Sequence, residues 1–123
     1  MNYVIHALRN PFTYTGRASR AEFWSFAVFM LGSQAIIAVL FLFLAFASVT
    51  VVAVVATCLL AAANGAGLLV LLSLSVRRAH DFGQGGWLAV PMILLPPVFL
   101  VCGIVDGHYR TNKYGPRPYA LDF

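Results

Sequence analysis

The densest polar chemistry in the sequence is Arg77-Arg78-Ala79-His80-Asp81, which sets two arginines, an imidazole and a carboxylate almost side by side. Arginine forks hold carboxylates and phosphates bidentately, and a histidine beside a carboxylate is the smallest pairing for acid–base work. Arg17, Arg20 and Glu22 form a second group far upstream, and Asp106-Gly107-His108 brings another carboxylate and imidazole near the C terminus. Neither histidine–carboxylate pair has the company a metal needs. No H-E-x-x-H or C-x-x-C spacing accompanies them, and a metal site requires three or four convergent ligands. No metal and no cofactor is expected. Catalysis by His80 and Asp81 would need a nucleophile or a substrate pocket that the sequence does not define, so no catalytic residue is assigned. Gly83-Gln84-Gly85-Gly86 lacks both the strand before and the Lys-Ser/Thr after that make a phosphate loop, and reads as a flexible turn with Trp87 as an interfacial anchor.

The elements that must position these groups are set by where charge is absent. From Phe23 to Val76 there is no Asp, Glu, Lys or Arg, and a second uncharged run spans Phe82 to Val105. A charge at the centre of a membrane-spanning helix costs about 2.5–3.5 kcal/mol, so exclusion of charge from two long runs points to a bilayer. The composition agrees: 123 residues, 61% hydrophobic and only 10% charged, indicate one multi-pass membrane domain rather than a soluble one. The net charge is +4. The basic residues flank apolar runs instead of forming a stripe, which excludes a nucleic-acid surface and suits contact with anionic headgroups. Cys58 and Cys102 both lie within apolar runs, where cysteine behaves as a small hydrophobe.

The fold class expected is an all-α membrane protein, a two-helix transmembrane hairpin followed by a proline-broken third transmembrane segment. Residues 1–18 form an interfacial arm, 19–47 helix one, 51–78 helix two, 87–105 the third segment and 106–123 a polar tail. Ser19-Arg20-Ala21-Glu22 fits the S-x-x-E capping box and marks the start of helix one. From Phe23 to Phe46 that helix would cover roughly 36 Å at ~1.5 Å per residue, enough for a hydrocarbon core of ~30 Å and too long for a cleaved signal segment. Ser48-Val49-Thr50 is the break, short enough to make helices one and two antiparallel. The break carries no charge, whereas both far ends carry arginines, so the N terminus is predicted cytoplasmic by the positive-inside rule. The third run contains Pro91 and Pro96-Pro97. Its length favours a kinked crossing; a reversal at Pro96-Pro97 is the alternative, and it would return the tail to the side of the arginines.

An antiparallel hairpin brings Gln34 and Asn64 to similar depth, predicting an interhelical hydrogen bond that acts as packing glue. Ala61 with Gly65 and Ala63 with Gly67 offer small surfaces for close helix approach. At the charged end, Arg17, Arg20, Arg77 and Arg78 are candidates for binding an anion or a headgroup, with Glu22, His80 and Asp81 as the candidate polar network. Arg17 and Arg20 lie at the positive end of helix one, where cations are disfavoured unless an anion compensates them. Asp81 and Glu22 could do so from within the chain.

Three ordered stretches, Phe12-Thr13-Tyr14-Thr15-Gly16-Arg17-Ala18-Ser19-Arg20-Ala21-Glu22-Phe23-Trp24, then Arg77-Arg78-Ala79-His80-Asp81 with Gly86-Trp87, then Asn112-Lys113-Tyr114-Gly115-Pro116-Arg117-Pro118, resemble domain-of-unknown-function family 805. The resemblance covers nearly the whole chain and implies a small bacterial inner-membrane protein. It implies no reaction, ligand or catalytic residue. Asp106-Gly107-His108 departs from the more apolar, Pro-Gly-containing approach usual in that family.

The functional expectation is therefore a non-enzymatic, multi-pass inner-membrane protein whose basic cytoplasmic face binds anionic lipid headgroups or a partner. The alternative is one subunit of a small oligomeric transporter or channel, motivated by Gln34, Asn64 and the proline breaks; a single chain is too small to enclose a pathway, so this reading requires a homo-oligomer or a membrane-protein partner. A membrane enzyme using His80 and Asp81 ranks third.

Overall fold

The computed structural model describes residues 3–47 and 50–118. Its elements are α1 (Tyr3–Arg9), α2 (Arg20–Phe46), α3 (Thr50–Asp81), a 3-10 turn at Gly86–Leu88, α4 (Ala89–Leu94) and α5 (Pro96–Ile104). Ser48 and Val49 of the expected break, and residues 119–123 of the tail, lie outside the described residues.

Ser19 starts α2 by accepting the Glu22 backbone N–H on its side chain at 3.1 Å. The reciprocal half of the capping box is not made, because the Glu22 carboxylate is drawn to Arg77 and His6 instead. At 27 residues α2 is about 40 Å long, and α3, at 32, about 48 Å. The second helix runs past Arg78 to Asp81, so the arginine–histidine–aspartate stretch is its last turn and not a flanking loop. It ends in a Schellman arrangement: Gly83, at φ 72°, donates to the His80 carbonyl at 2.9 Å and Gln84 to that of Ala79 at 3.1 Å.

Glu22 faces Arg77, Met30 faces Gly67 and Gln34 faces Asn64, the order of an antiparallel pair. The apolar stretches of the two helices have mean hydropathies of 2.4 and 2.1, yet only 11% of each is buried. A core helix of a soluble protein would hide such a surface; these present it outward, as bilayer-facing helices must. Buried side chains concentrate at one end of the hairpin. There Phe23, Phe26 and Met30 of α2 meet Val70 and Leu74 of α3, with Ala7 of α1 and Met92 of α4 closing the cluster.

The third run does not form the kinked crossing expected from its length. Pro96 and Pro97 supply no backbone N–H groups to continue α4, and the chain reverses at Leu95, whose extended backbone lies at φ −120° and ψ 102°. The six residues of α4 and nine of α5 reach only about 9 and 14 Å. Both ends of the run sit at the charged end of the hairpin: Gly86 lies against Val76, while the Gly103 and Ile104 carbonyls accept from Trp24 and Arg20 at 3.0 and 3.1 Å. Phe99 of α5 packs on Phe23, with ring centroids 4.6 Å apart.

The small residues of α3 also divide differently from the sequence pattern. A Cβ at Gly65 would meet nothing within 4 Å, whereas one at Gly67 would lie 2.5 Å from the Met30 sulfur. Close approach is therefore made at Gly67, and Ala61 and Gly65 face outward.

Candidate functional site

Three segments distant in sequence converge at the charged end: the stretch before α2, the last turn of α3 and the tail after α5. Arg17 approaches Asp81 side-on, with Nε and Nη2 at 2.7 and 2.6 Å from the same oxygen, Oδ1. This leaves Oδ2 for Nη1 of Arg78. One carboxylate thus serves two guanidiniums whose side chains are 0% and 1% exposed. The remaining donors turn to backbone carbonyls. Arg17 donates to those of His108, Arg110 and Gly115, and Arg78 to those of Cys102 and Val105. Asp81 offsets one of the two positive charges; the carbonyl dipoles supply the hydrogen bonds that buried cations require.

The tail is seated on Asp81 as well. The His108 N–H donates to the Asp81 carbonyl at 2.9 Å, and a Cβ at Gly107 would fall 1.8 Å from Asp81 Oδ2. Only glycine fits there. The Asp106-Gly107-His108 stretch therefore works through its backbone, while the Asp106 carboxylate takes Arg20 at 2.8 Å in a half-exposed pair.

A second buried pair lies toward α1. Arg77 donates to Glu22 Oε1 at 2.9 Å, and His6 Nδ1 lies 3.2 Å from the same oxygen. The Arg77 Nε, fully enclosed, has no hydrogen-bond partner. His80 does not join Asp81. Its Nδ1 meets the Gly16 carbonyl at 3.1 Å, so that nitrogen carries the proton, and the ring stacks on Tyr114 at 3.8 Å with planes 7° apart. Asn112 fixes the same turn by donating to the His80 carbonyl at 2.8 Å. Deeper in the hairpin, Gln34 donates to Asn64 Oδ1 at 2.9 Å, Ser33 reaches that oxygen at 3.2 Å, and Asn64 donates to the Leu60 carbonyl at 2.9 Å.

Arg17, Arg78 and Asp81 are thus gathered into one cluster, Glu22 and Arg77 into another beside it, Arg20 lies at the rim, and Gln34 with Asn64 forms a separate contact between α2 and α3. His6, Asp106, Gly107, Asn112 and Tyr114 complete these sites without having been singled out as partners from the sequence. Carbonyl acceptors leave no side-chain signature; a glycine between two polar residues was the one visible trace of the backbone contact at Asp81. Among the described residues, no three His, Cys, Asp or Glu side chains come together as a metal site. The arrangement is suited to holding three segments together. Both Asp81 oxygens are occupied, and the His80 ring is taken up by the Gly16 carbonyl and the Tyr114 ring.

No solved structure matches the chain. Inner membrane protein YhaI of Escherichia coli (strain K12) is 30% identical over 125 residues, covering 96% of each chain, and the YhaI of Escherichia coli O157:H7 is equally similar. The family described as "Protein of unknown function (DUF805)" matches residues 11–116, so the paired arginines, the two apolar helices and the glycine-seated tail are those of a chain that belongs to this family of membrane proteins.

Proposed function

We propose that the chain is a non-enzymatic, multi-pass inner-membrane protein with both termini in the cytoplasm, α2 and α3 spanning, and the α4–α5 hairpin re-entering the membrane without crossing it. Its polar end is a cap that meets anionic headgroups or a partner at the cytoplasmic surface. The observation that carries this reading is the charge asymmetry of the hairpin. Arg9, Arg17, Arg20, Arg77, Arg78, Arg110, Lys113 and Arg117 make up all 8 basic residues, and the reversal at Leu95 gathers the tail cations with the rest, opposite the uncharged C-terminal end of α2. Such asymmetry is what orients membrane hairpins.

Within the cap, the arginines divide by burial. Arg17, Arg77 and Arg78 are held by Asp81, Glu22 and carbonyls, and serve as struts. Contact with headgroups falls to Arg20 and to the exposed Arg9, Arg110, Lys113 and Arg117. Lys113 and Arg117 each lie over a tyrosine ring, Tyr114 and Tyr109, at 4.9 and 4.8 Å. Basic groups at an anionic surface contribute about 1 kcal/mol each.

Paired reporters active only in periplasm or only in cytoplasm, fused after Phe123, test the topology. Cytoplasmic activity alone is expected. Periplasmic activity would establish a third crossing and remove the tail from the arginine cluster.

A further inference from the structure

Between α1 and the hairpin lies an apolar groove of about 580 Å³, within the range of about 300–1,000 Å³ typical of ligand pockets. Leu8, Pro11 and Phe12 line its polar end, and Ile37 and Leu60 mark its deep end. Along α2 the lining runs from Phe26 to Ile37, about 16 Å at 1.5 Å per residue. That is half of a ~30 Å hydrocarbon core, the depth of one leaflet. Arg9, the residue after Leu8, is exposed and makes no ion pair among the described residues.

We propose that this groove holds one acyl chain of an anionic phospholipid drawn from the leaflet that the charged end faces, with the lipid phosphate at Arg9. The inference deepens the membrane reading given above and rests on it. Length and charge decide the occupant. A second copy or another spanning helix would run on past Ile37 over the exposed apolar face that includes Val39, Phe43, Val52 and Val55, whereas the groove itself stops near mid-bilayer depth. A lipid matches that limit: its chain enters from the side, while its headgroup stays at the charged end. The groove ends where one chain ends. Arg9 then supplies the charge that distinguishes an anionic headgroup from a zwitterionic one.

The test is native mass spectrometry of the full chain after release into mild detergent from bilayers of equimolar phosphatidylglycerol and phosphatidylethanolamine. The wild type is expected to retain one phospholipid, with phosphatidylglycerol enriched about fivefold, the weight of one basic group at an anionic surface. Arg9→Gln should keep the lipid and lose the enrichment. Ala63→Trp fills the groove from an exposed position in its wall, and Ile36→Trp does so from α2; each should lower occupancy at least fivefold. Ala61→Trp, exposed outside the groove, should not. Helicity and thermal midpoint, measured for every variant, identify any that misfolds, and the remaining filling variant then decides. A wild type without retained lipid, or equal occupancy in Ala61→Trp and both filling variants, would overturn the proposal. So would loss of a dimer in Ala63→Trp at unchanged lipid occupancy, since the groove would then belong to a second copy. Retention reads the groove whichever side the termini occupy, so a failed topology and a failed lipid site are told apart.

Discussion

Replacing Asp81 by alanine removes the carboxylate that Arg17 and Arg78 share. Both guanidiniums would remain buried, and both would keep carbonyl acceptors: His108, Arg110 and Gly115 for Arg17, Cys102 and Val105 for Arg78. The loss is therefore one of charge balance more than of hydrogen bonds. Removing one partner of a buried ion pair costs about 3–5 kcal/mol, which at about 1.4 kcal/mol per factor of ten moves the unfolding equilibrium by two to nearly four powers of ten. Asp81→Asn keeps the volume but sets an amide NH2 against a guanidinium, so it should recover little. A triple variant, Arg17→Leu, Arg78→Met and Asp81→Leu, removes the charges together and should be less damaging than Asp81→Ala alone. Unfolding in mixed micelles by a denaturing detergent can be followed through Trp24, whose indole N–H is bonded to Gly103 at 3.0 Å and reports docking of the α4–α5 hairpin. A loss below about 1 kcal/mol for Asp81→Ala, the range of solvent-exposed pairs, would refute the view that this cluster is closed to water and holds the cap together.

Two further perturbations separate backbone contacts from side-chain chemistry. Gly107→Ala would place a methyl carbon 1.8 Å from Asp81 Oδ2; the forced displacement should destabilise the cap by about 1–3 kcal/mol, and protease cleavage of the tail in detergent should accelerate accordingly, whereas an unchanged rate would mean the tail is not seated there. Gly67→Leu should lower the thermal midpoint because its branched side chain must displace the Met30 thioether, while Gly65→Leu, whose Cβ meets nothing within 4 Å, should not lower it; equal effects would place the helix contact elsewhere.

The sequence made the two long apolar helices legible because exclusion of charge is a local property that any helix able to cross a bilayer must show. The Ser19 cap was legible for the same reason, being contained within four positions. Pairing depth along the hairpin followed from a short connection, which is how Gln34 and Asn64 could be set opposite each other. The reversal at Leu95 was not decided by the prolines alone, since Pro96-Pro97 permits a kink as readily as a turn. What closes the turn is distant: carbonyls at 102–105 reach Arg78, Trp24 and Arg20, and those at 108, 110 and 115 reach Arg17. Acceptors of that kind are present at every position of every chain. Their use depends on which buried donor lies opposite, and that is knowable only in three dimensions. The capping box illustrates the limit at short range, where a buried Arg77 competed successfully for Glu22.

Arg17 waits for partners that do not exist when it is made. Its carboxylate partner lies 64 positions downstream and its carbonyl acceptors 91, 93 and 98, so a nascent chain carries this guanidinium unpaired until Asp81 is made and incompletely bonded until the segment 108–115 follows. The same holds for Arg78 with respect to the Val105 carbonyl, 27 positions later. These arginines therefore have two lives. Before those segments are made, Arg17 is a free cation and Arg78 has only Asp81 for a partner, so both can hold the start of α2 and the end of α3 back from the hydrocarbon; once the tail has emerged, they become the bolts of the finished cap.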